Sequence, residues 1–597
     1  MSESISNERL SKRNLWGYSM GGIGRDMAYQ LVNTYLLTFI TFTKGLSNTE
    51  FAMVGVIMVI CRIFDGCNDP FMGSLIEITR TKIGKFKPWI LAGVFTNVAV
   101  IIALFCVPLR GTSYLIFFAF GYLLWGMTYT MNDISYWGML PSLTSNPGDR
   151  NNLTTLANIG AGIGAGLSVL AIPSLTQGNL AIASNASKSY AIVSIIVCIV
   201  FFVCQIMTVF VVKEKPLPKV RVDDGEKRSL KDMFKVIFKN DQLKPVMASM
   251  LLYNIGSCIT MALASYWIYY RFAYQGLLVT LFTVISGVST LVIVFFPMMC
   301  KKHSRRWISK LSMIMIIVGY LLMFVISLTT GINPDADKVG FKIGEVLIPV
   351  TFIFTGLTGA CAFFGQTLFY QVLTISVANT VEYNEYTTGM RDEGVIFACR
   401  PFTAKLGSAA VVGITTLVVL ALGLNPTNKA ISNADYEAGQ LAVQVEQLVK
   451  DETPNFDSLS KEEQTKLIEA KKKSIETENV AKIENIIHTN EDTKVAKWQY
   501  QTMFAFMTLL PLVILLGSFA IYFKKYNISE ERYDEICAEI ARRKLAAEGN
   551  AEVVLDGADA NELENDLASS DAETPDEIFE QEAAADKISK APDEVEK

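Results

Sequence analysis

Histidine and charge are both scarce in this chain. Of its 597 residues only two are His, and 19% are charged. The two histidines, His303 and His488, lie in a basic loop and in a polar segment, and neither a nucleophile–base set nor a nucleotide-binding loop accompanies them. The composition therefore argues against an enzyme, against a bound cofactor and against a proton relay built on histidine.

The ten cysteines do not form a disulfide pattern. Nearly all of them, such as Cys61, Cys106, Cys198 and Cys361, lie inside apolar runs, and only Cys537 lies in a polar segment. Disulfide frameworks belong mainly to small extracellular domains. We therefore expect free thiols.

What the chain does have is long apolar runs. Hydrophobic residues make up 51% of it, and about 20 apolar residues in succession are enough to cross a bilayer. The pattern predicts an all-α polytopic membrane protein with twelve transmembrane helices. The predicted spans are 15–43, 50–78, 87–109, 113–140, 153–176, 189–212, 245–271, 274–299, 306–328, 344–378, 394–424 and 498–523.

Basic residues between the spans indicate the topology. Segment 213–244 holds ten Lys and Arg, and basic loops stay in the cytoplasm. It separates two six-helix bundles, which is the plan of the major facilitator fold. Both termini then lie in the cytoplasm of a cell with a bacterial-type plasma membrane. The predicted divisions are an N-terminal bundle (1–212), a cytoplasmic loop (213–244), spans seven to eleven (245–424), an extracytoplasmic insertion (425–497), span twelve (498–523) and a cytoplasmic tail (524–597).

Two of these segments lie outside the regular plan. The insertion is dense in Lys and Glu, and we expect one or two solvated helices there, either without chemistry or as a lid or a cell-wall contact. The tail is acidic: Leu545 to Lys597 contains 17 Asp and Glu against three Lys, although the whole chain has a net charge of only -5. We expect this tail to be disordered.

Four aspartates interrupt apolar runs, namely Asp26, Asp65, Asp69 and Asp133. A charge at the bilayer centre costs roughly 2.5–3.5 kcal/mol on insertion scales, and such residues usually serve a function. Asp65 and Asp69 share a helix face with Asn68, and their oxygens suit a hard cation such as Na⁺ or Li⁺. Thr130 could add a hydroxyl. The alternative is that Arg62 pairs with these carboxylates and only packs the helices.

Several motifs together resemble the glycoside–pentoside–hexuronide:cation symporter family. The resemblance covers about residues 10–424 and span twelve. It rests on Gly24-Arg25-Asp26, Asp65-x-x-Asn68-Asp69-Pro70, Gly84-Lys85-Phe86-Lys87-Pro88-Trp89, Asp133-Ile134-Ser135-Tyr136-Trp137, Thr380 to Tyr386, Gly389-Met390-Arg391-Asp392-Glu393-Gly394 and Lys405-Leu406-Gly407-Ser408-Ala409.

The resemblance implies a secondary transporter that imports a sugar by symport with Na⁺ or H⁺ through alternating access. It implies a cation site at Asp65, Asn68, Asp69 and Thr130. It implies sugar contacts by Arg25, Asp26, Asp133 and Trp137, with Lys405 between the two sites. Arg80, Lys85, Lys87 and Arg391 match a cytoplasmic gate and loop motif.

Alternatives remain at individual residues. Asp26 could pair with Arg25, although neighbouring helix positions do not face each other, and Trp137 could belong to the aromatic belt at a membrane surface. The chain departs from the family pattern at Asn158 and at Arg400, which would also line the sugar site. Arg400 favours an acidic sugar, because Arg binds carboxylates in bidentate fashion, or else it pairs with a carboxylate of the protein.

Two alternatives concern the whole protein. The same scaffold could carry a non-sugar cargo such as a lysolipid, although several polar residues of the expected cavity persist. The protein could also be a sugar sensor that does not transport and that uses the insertion or the acidic tail.

Overall fold

The computed structural model describes the following residues: 10–79, 81–144, 147–213, 239–330, 338–343, 346–390 and 392–549. The chain divides into two compact units, Met1–Tyr533 and Asp534–Lys597. All of the elements discussed below belong to the first unit, except the last helix from Asp534 onward.

Six long helices make up the N-terminal half. They are α1 (Lys12–Thr43), α2 (Asn48–Ile78), α3 (Lys87–Cys106), α4 (Gly111–Leu143), α5 (Pro147–Thr176) and α6 (Ala186–Val211). Polar caps set several of their starts. The Ser47 hydroxyl accepts from the Glu50 N–H while Glu50 accepts from the Ser47 N–H, and the Asn185 side chain caps α6 by accepting from the Lys188 N–H.

The C-terminal half is less regular. It contains α7 (Leu243–Arg271), α8 (Gly276–Ser289), a 3₁₀ segment (Thr290–Phe295), α9 (Phe296–Lys302), α10 (Arg305–Thr330), α11 (Val350–Thr388), α12 (Glu393–Ala421) and α16 (Lys497–Lys525). The residues between α12 and α16 form α13 (Asn425–Val443), α14 (Val445–Glu452), a 3₁₀ segment (Phe456–Ser458) and α15 (Lys461–His488). The last described helix is α17 (Glu530–Gly549).

Ten helices of the described chain are long and apolar enough to cross a membrane, with the run α8–α9 counted as one: α3 to α7, α8–α9, α10 to α12 and α16. The first two helices, α1 and α2, are 32 and 31 residues long and carry most of the charged residues of the predicted sites. The ten apolar helices together with α1 and α2 are consistent with the prediction of twelve spans. The chain is a multi-pass membrane protein.

Two expectations are wrong in part. Two short antiparallel strands, β1 (Gly340–Ile343) and β2 (Val346–Pro349), precede α11, so the span predicted over 344–378 begins six residues too early. The start of the tail is also ordered, because Glu530–Gly549 is helical, and acidic residues in its first turn favour that helix. Residues 550–597, the rest of that tail, lie outside the described residues.

Two helix pairs join the two halves along the membrane helices, since α2 packs on α12 and α5 packs on α8. Within the N-terminal half, α1 packs closely on α5. A Cβ at Gly164 would lie 2.0 Å from the Ile23 carbonyl oxygen, and one at Gly160 would lie 2.4 Å from the Ser19 carbonyl oxygen. Small residues four apart allow membrane helices to approach this closely. This approach brings the polar residues of α1 and α5 to one cavity.

Candidate functional site

A cavity of about 1510 Å³ lies between the two halves. Helices α1, α2, α4 and α5 form one side of its wall, and α11 and α12 form the other. Nearly all of the predicted cation and sugar residues line it: Arg25, Asp26, Asp65, Asp69, Thr130, Asp133, Trp137, Asn158, Arg400 and Lys405. The two predicted sites therefore share one space.

Aromatic side chains of the two halves pack against each other on one side of this cavity. We call this the insertion side, because the helix ends there meet residues 425–497. The Phe42 ring at the end of α1 packs at centroid distances of 5.2 to 6.1 Å against four tyrosine rings of the other half, Tyr266, Tyr269, Tyr270 and Tyr274. Nearby, the Ser174 and Thr280 hydroxyls lie 2.7 Å apart and join α5 to α8. The cavity lies beyond this aromatic layer.

Lys405 joins the carboxylates of α2 to the other half of the protein. Its Nζ donates to both oxygens of Asp69, at 2.6 and 2.7 Å, and lies 3.1 Å from Asp65 Oδ2. Thr130 donates to Asp65 Oδ1 at 2.7 Å and to Asp69 Oδ1 at 3.3 Å. One ammonium group thus faces two carboxylates at the predicted cation site.

Asn68 does not line the cavity and is half-buried. The expectation that it converges with Asp65 and Asp69 is not met by the geometry. With 3.6 residues per turn, each residue advances about 100° around the helix. Asp69 therefore projects about 40° to one side of Asp65, and Asn68 projects about 60° to the other. The side-chain oxygen that lies beside the Asp65 and Asp69 carboxylates is instead the hydroxyl of Thr130 on α4.

Arg25 holds the second pair of carboxylates. Its Nη2 lies 2.5 Å from Asp26 Oδ2, and its Nη1 lies 3.1 Å from Asp133 Oδ1. The argument that adjacent helix positions exclude an Arg25–Asp26 pair is therefore wrong. That rule concerns the direction in which side chains leave the helix, whereas the long Arg side chain turns toward α4 and its broad guanidinium reaches both carboxylates.

The rings of Tyr136 and Trp137 fix the guanidinium of Arg25. Its central carbon lies 4.6 Å and 4.7 Å from the two ring centroids. Tyr136 itself is anchored, because its hydroxyl donates to the Tyr18 carbonyl while the Tyr18 hydroxyl donates to the Tyr136 carbonyl, both at 2.8 Å. Trp137 is a half-buried residue of the cavity wall.

Arg62 does not pair with the carboxylates of α2. It donates to Asn33 and lies 5.3 Å from the Trp125 ring centroid and 5.9 Å from that of Tyr122. Among the described residues it forms no ion pair. The packing alternative for Asp65 and Asp69 therefore fails, and Lys405 is their positive partner.

Arg400 and Asn158 are exposed in the cavity, on opposite walls. The Nε of Arg400 donates to the Tyr370 hydroxyl at 3.0 Å, and its guanidinium lies 5.5 Å from that ring. Within the described chain Arg400 has no carboxylate partner, so the alternative of a structural ion pair is not met. Asn158 donates to the Thr154 carbonyl at 2.9 Å.

Some cavity residues escaped the sequence analysis. Tyr370, Tyr29, Gln30 and Tyr129 line the wall, but nothing in their spacing separates them from the other residues of apolar spans. Asp133 could have directed attention to Tyr129, which lies one helical turn before it.

The gate residues lie apart from the cavity. Lys87 donates to the Val212 carbonyl at 2.5 Å, and Lys85 lies 5.2 Å from the Phe86 ring. Neither of them lines the cavity. Arg80 and Arg391, which belong to the same prediction, lie outside the described residues.

A family model described as MFS/sugar transport protein matches residues 17–442. The chain belongs to this family. The match includes every residue of the cavity wall and confirms the resemblance drawn from the motifs, which places the chain among glycoside–pentoside–hexuronide-type members of the major facilitator superfamily. Members of this family are transporters and not enzymes.

Several characterised transporters are similar to this family member. The raffinose carrier protein of Pediococcus pentosaceus is 26% identical over 437 residues, which is 71% of this chain and 64% of that one. A lactose permease of Lactobacillus delbrueckii subsp. bulgaricus is 28% identical over 68% of this chain and 63% of that one. The isoprimeverose transporter of Lactiplantibacillus pentosus is 27% identical over 68% and 80%. The chain thus spans less than two thirds of the first two proteins.

Proposed function

We propose that this protein imports a sugar together with a cation by alternating access across a bacterial-type cell membrane, with both termini in the cytoplasm. The observation that carries the proposal is that two pairs of carboxylates, each with a single positive partner, line one cavity between the halves. The relatives described as carriers of raffinose, lactose and isoprimeverose support a sugar as the cargo.

The sugar would bind at Asp26, Asp133 and Trp137. Carboxylate oxygens accept hydrogen bonds from hydroxyl groups, and an indole ring offers a flat apolar face to the C–H groups of a sugar ring. Arg25 already orients both carboxylates. The guanidinium therefore keeps the acceptors in place before the sugar arrives.

The coupling cation would bind at Asp65, Asp69 and Thr130, and Na⁺, Li⁺ and H⁺ are the candidates. It competes with the ammonium of Lys405 for the same carboxylate oxygens. Its arrival releases Lys405, and with it a direct link between α2 and α12. A monovalent cation that crosses 100 mV gains about 2.3 kcal/mol, which the transport cycle can use to accumulate sugar.

The test is binding and uptake by the purified protein. In proteoliposomes an inward gradient of Na⁺, Li⁺ or H⁺ should drive accumulation of a labelled glycoside. In detergent, the same cation should tighten sugar binding by the factor by which sugar tightens cation binding. The variant Asp69→Cys should lose accumulation, and Glu463→Gln on the exposed part of α15 serves as its control. Binding without flux would instead support a sensor, and uptake of a lysolipid alone would support the lipid alternative.

A second, finer proposal is that the cargo is an acidic sugar. Arg400 supports it, because this exposed cavity guanidinium has only the Tyr370 hydroxyl as a partner among the described residues. A sugar carboxylate could form a bidentate pair with it. Arg400→Gln should reduce uptake of a uronide far more than uptake of a neutral glycoside, and Tyr370→Phe, which keeps the guanidinium, should spare the uronide. Equal losses for both sugars in Arg400→Gln would contradict the proposal.

A further inference from the structure

The first helix of the insertion, α13, is not a solvated helix. Buried residues run along its length, and most of them are polar: Asn425, Thr427, Asn428, Ile431, Ser432, Ala434, Asp435, Ala438 and Ala442. Buried polar groups need hydrogen-bond partners. For α13 many of these partners lie on the ends of the membrane helices at the insertion side.

Three connections of the N-terminal half bond to α13. Between α1 and α2, the Asn425 side chain donates to the Leu46 carbonyl at 3.1 Å. Between α3 and α4, Arg110 donates to the Ser432 carbonyl and hydroxyl at 3.0 and 2.9 Å. The third connection, between α5 and α6, bonds to Asp435.

Asp435 binds the start of α6. Its carboxylate accepts from the Ala186 N–H at 2.5 Å and from the Ser187 N–H at 3.1 Å, and its carbonyl accepts from the Asn185 side chain at 3.0 Å. The first N–H groups of a helix have no partner within the helix, and they favour a negative charge. Asp435 is 1% exposed, so this contact needs a dry, closed interface.

By chain connection α13 belongs to the C-terminal half. It follows α12 after a turn at Gly423, whose φ is +65°. The Tyr270 hydroxyl of α7 donates to its Asn428 at 2.6 Å, and Thr427 donates to the Thr493 carbonyl at 2.6 Å just before α16. One helix carried by the C-terminal half thus holds three connections of the other half.

We infer that α13 is a clasp that holds the two halves together on the insertion side and must release the N-terminal half before the cavity can open there. The inference rests on the alternating-access part of the proposed function. Opening on that side separates the ends of α1 to α6 from the C-terminal half, and all of the bonds described above except those to Tyr270 and Thr493 cross the line of separation.

The insertion can stay folded after such a release. It has a hydrophobic cluster of its own, formed by Ala438, Val445, Val449, Phe456 and Ile475, none of which comes from the membrane helices. A segment with its own core can separate as a unit. The hydrogen bonds between α13 and the N-terminal half can be replaced by hydrogen bonds to water when the two part.

A disulfide across the clasp tests the inference. A Cβ at Gly439 of α13 would lie 3.2 Å from Asn185 Cγ, which is the position that a sulfur would take in Asn185→Cys. The full chain with Asn185→Cys and Gly439→Cys should form the disulfide, lose sugar counterflow in proteoliposomes at least tenfold on oxidation and recover it with a thiol reductant. The two single variants control for the native cysteines under the same treatment.

Each outcome bears on a separate claim. An oxidised double variant that is linked according to peptide mass analysis and still exchanges sugar at the rate of the reduced protein would overturn the clasp. Failure of the disulfide to form would also contradict it, because the docked contact would then not exist in the membrane. Absence of sugar exchange in the unmodified protein would instead contradict the proposed function.

Discussion

The cavity and the clasp both depend on aspartates, yet they hold them in opposite ways. In the cavity, Asp69 and Asp133 side chains are 32% and 36% exposed, and their partners are the tips of Lys405 and Arg25. In the clasp, Asp435 is 1% exposed and is bound by backbone N–H groups. A long side chain can leave a carboxylate by itself when a ligand arrives, whereas the backbone N–H groups part from Asp435 only when α13 and the start of α6 separate as whole segments. The cavity is therefore suited to exchange, and the clasp is suited to holding.

Within the cavity the two carboxylate pairs also differ. Arg25 comes from the same half as Asp26 and Asp133 and is fixed by two rings. Lys405 comes from the opposite half, so its contact with Asp65 and Asp69 depends on how the halves are arranged. Only the contact of Lys405 with Asp65 and Asp69 therefore changes when the two halves move relative to each other. This is a physical basis for coupling a cation to the movement of the halves.

The largest expected effect is that of Lys405→Met. The change leaves two carboxylates without their positive partner, and breaking a buried ion pair from one side costs about 3–5 kcal/mol, less here because the pair is partly exposed. Cation-driven accumulation should fall at least 100-fold, while sugar affinity falls much less. Uptake assays and a separate sugar titration measure the two effects. Equal losses of accumulation and of sugar affinity would contradict the claim that the two carboxylate pairs have separate roles.

A smaller effect is expected for Arg25→Gln. It removes the group that orients Asp26 and Asp133, and hydrogen bonds to charged groups are worth about 1.5–3 kcal/mol. Sugar affinity should fall about 10- to 100-fold while cation binding is retained. Arg25→Lys is the matched control. It should rescue only in part, because an ammonium lacks the fork that serves two carboxylates at once.

The sequence identified the cavity better than it identified the clasp. Asp26, Asp65, Asp69 and Asp133 are conspicuous because a bilayer penalises charge, so each one indicated a site in advance. The pairing of Arg25 with Asp26 was given only as an alternative, since a rule on helix positions does not describe the reach of a long side chain. Asn68 was predicted in the cation site because residues at i, i+3 and i+4 were taken to project from the helix in the same direction.

The clasp could not be found from the sequence because nothing penalises an aspartate in a polar segment. Asp435 stands in a polar run outside the apolar spans, where an aspartate is not unusual, and only the docking of α13 buries it. Its partners at Ala186 and Ser187 are backbone groups about 250 residues away, and a backbone donor leaves no trace in residue identity. Local sequence patterns contain no information on how a helix packs on loops that are far away in the chain.

The clasp should also respond to pH, and the sign follows from its burial. Burial raises the pKa of Asp435 to about 6, against about 3.9 for an exposed carboxyl. The docked clasp therefore binds a proton more tightly than the released one. The stability that this proton gives to the docked clasp over the released one is complete below about pH 4. It is lost as the pH rises through about 6.

Other charged groups near Asp435 must be considered in that pH range. Burial also lowers the pKa of Lys44 to about 7, but Lys44 donates to the Val107 carbonyl and lies over the Phe39 and Tyr114 rings, all in its own half. It stays largely protonated below pH 6.5 in either state. The remaining charged or titratable neighbours are Arg110, Tyr274, Lys473, Glu476 and Glu484.

Hydrogen exchange at Ala186 and Ser187 measures this smallest effect. These two N–H groups start α6, so their protection depends on Asp435. From pH 6.5 to pH 5.0 their protection factors, corrected for intrinsic exchange, should rise about eightfold. Asp435→Asn should remove the pH dependence and lower protection at both pH values, and Glu476→Gln should leave the dependence intact. Protection that falls on acidification would mean that the docked carboxylate is stabilised as an ion, and it would contradict this prediction.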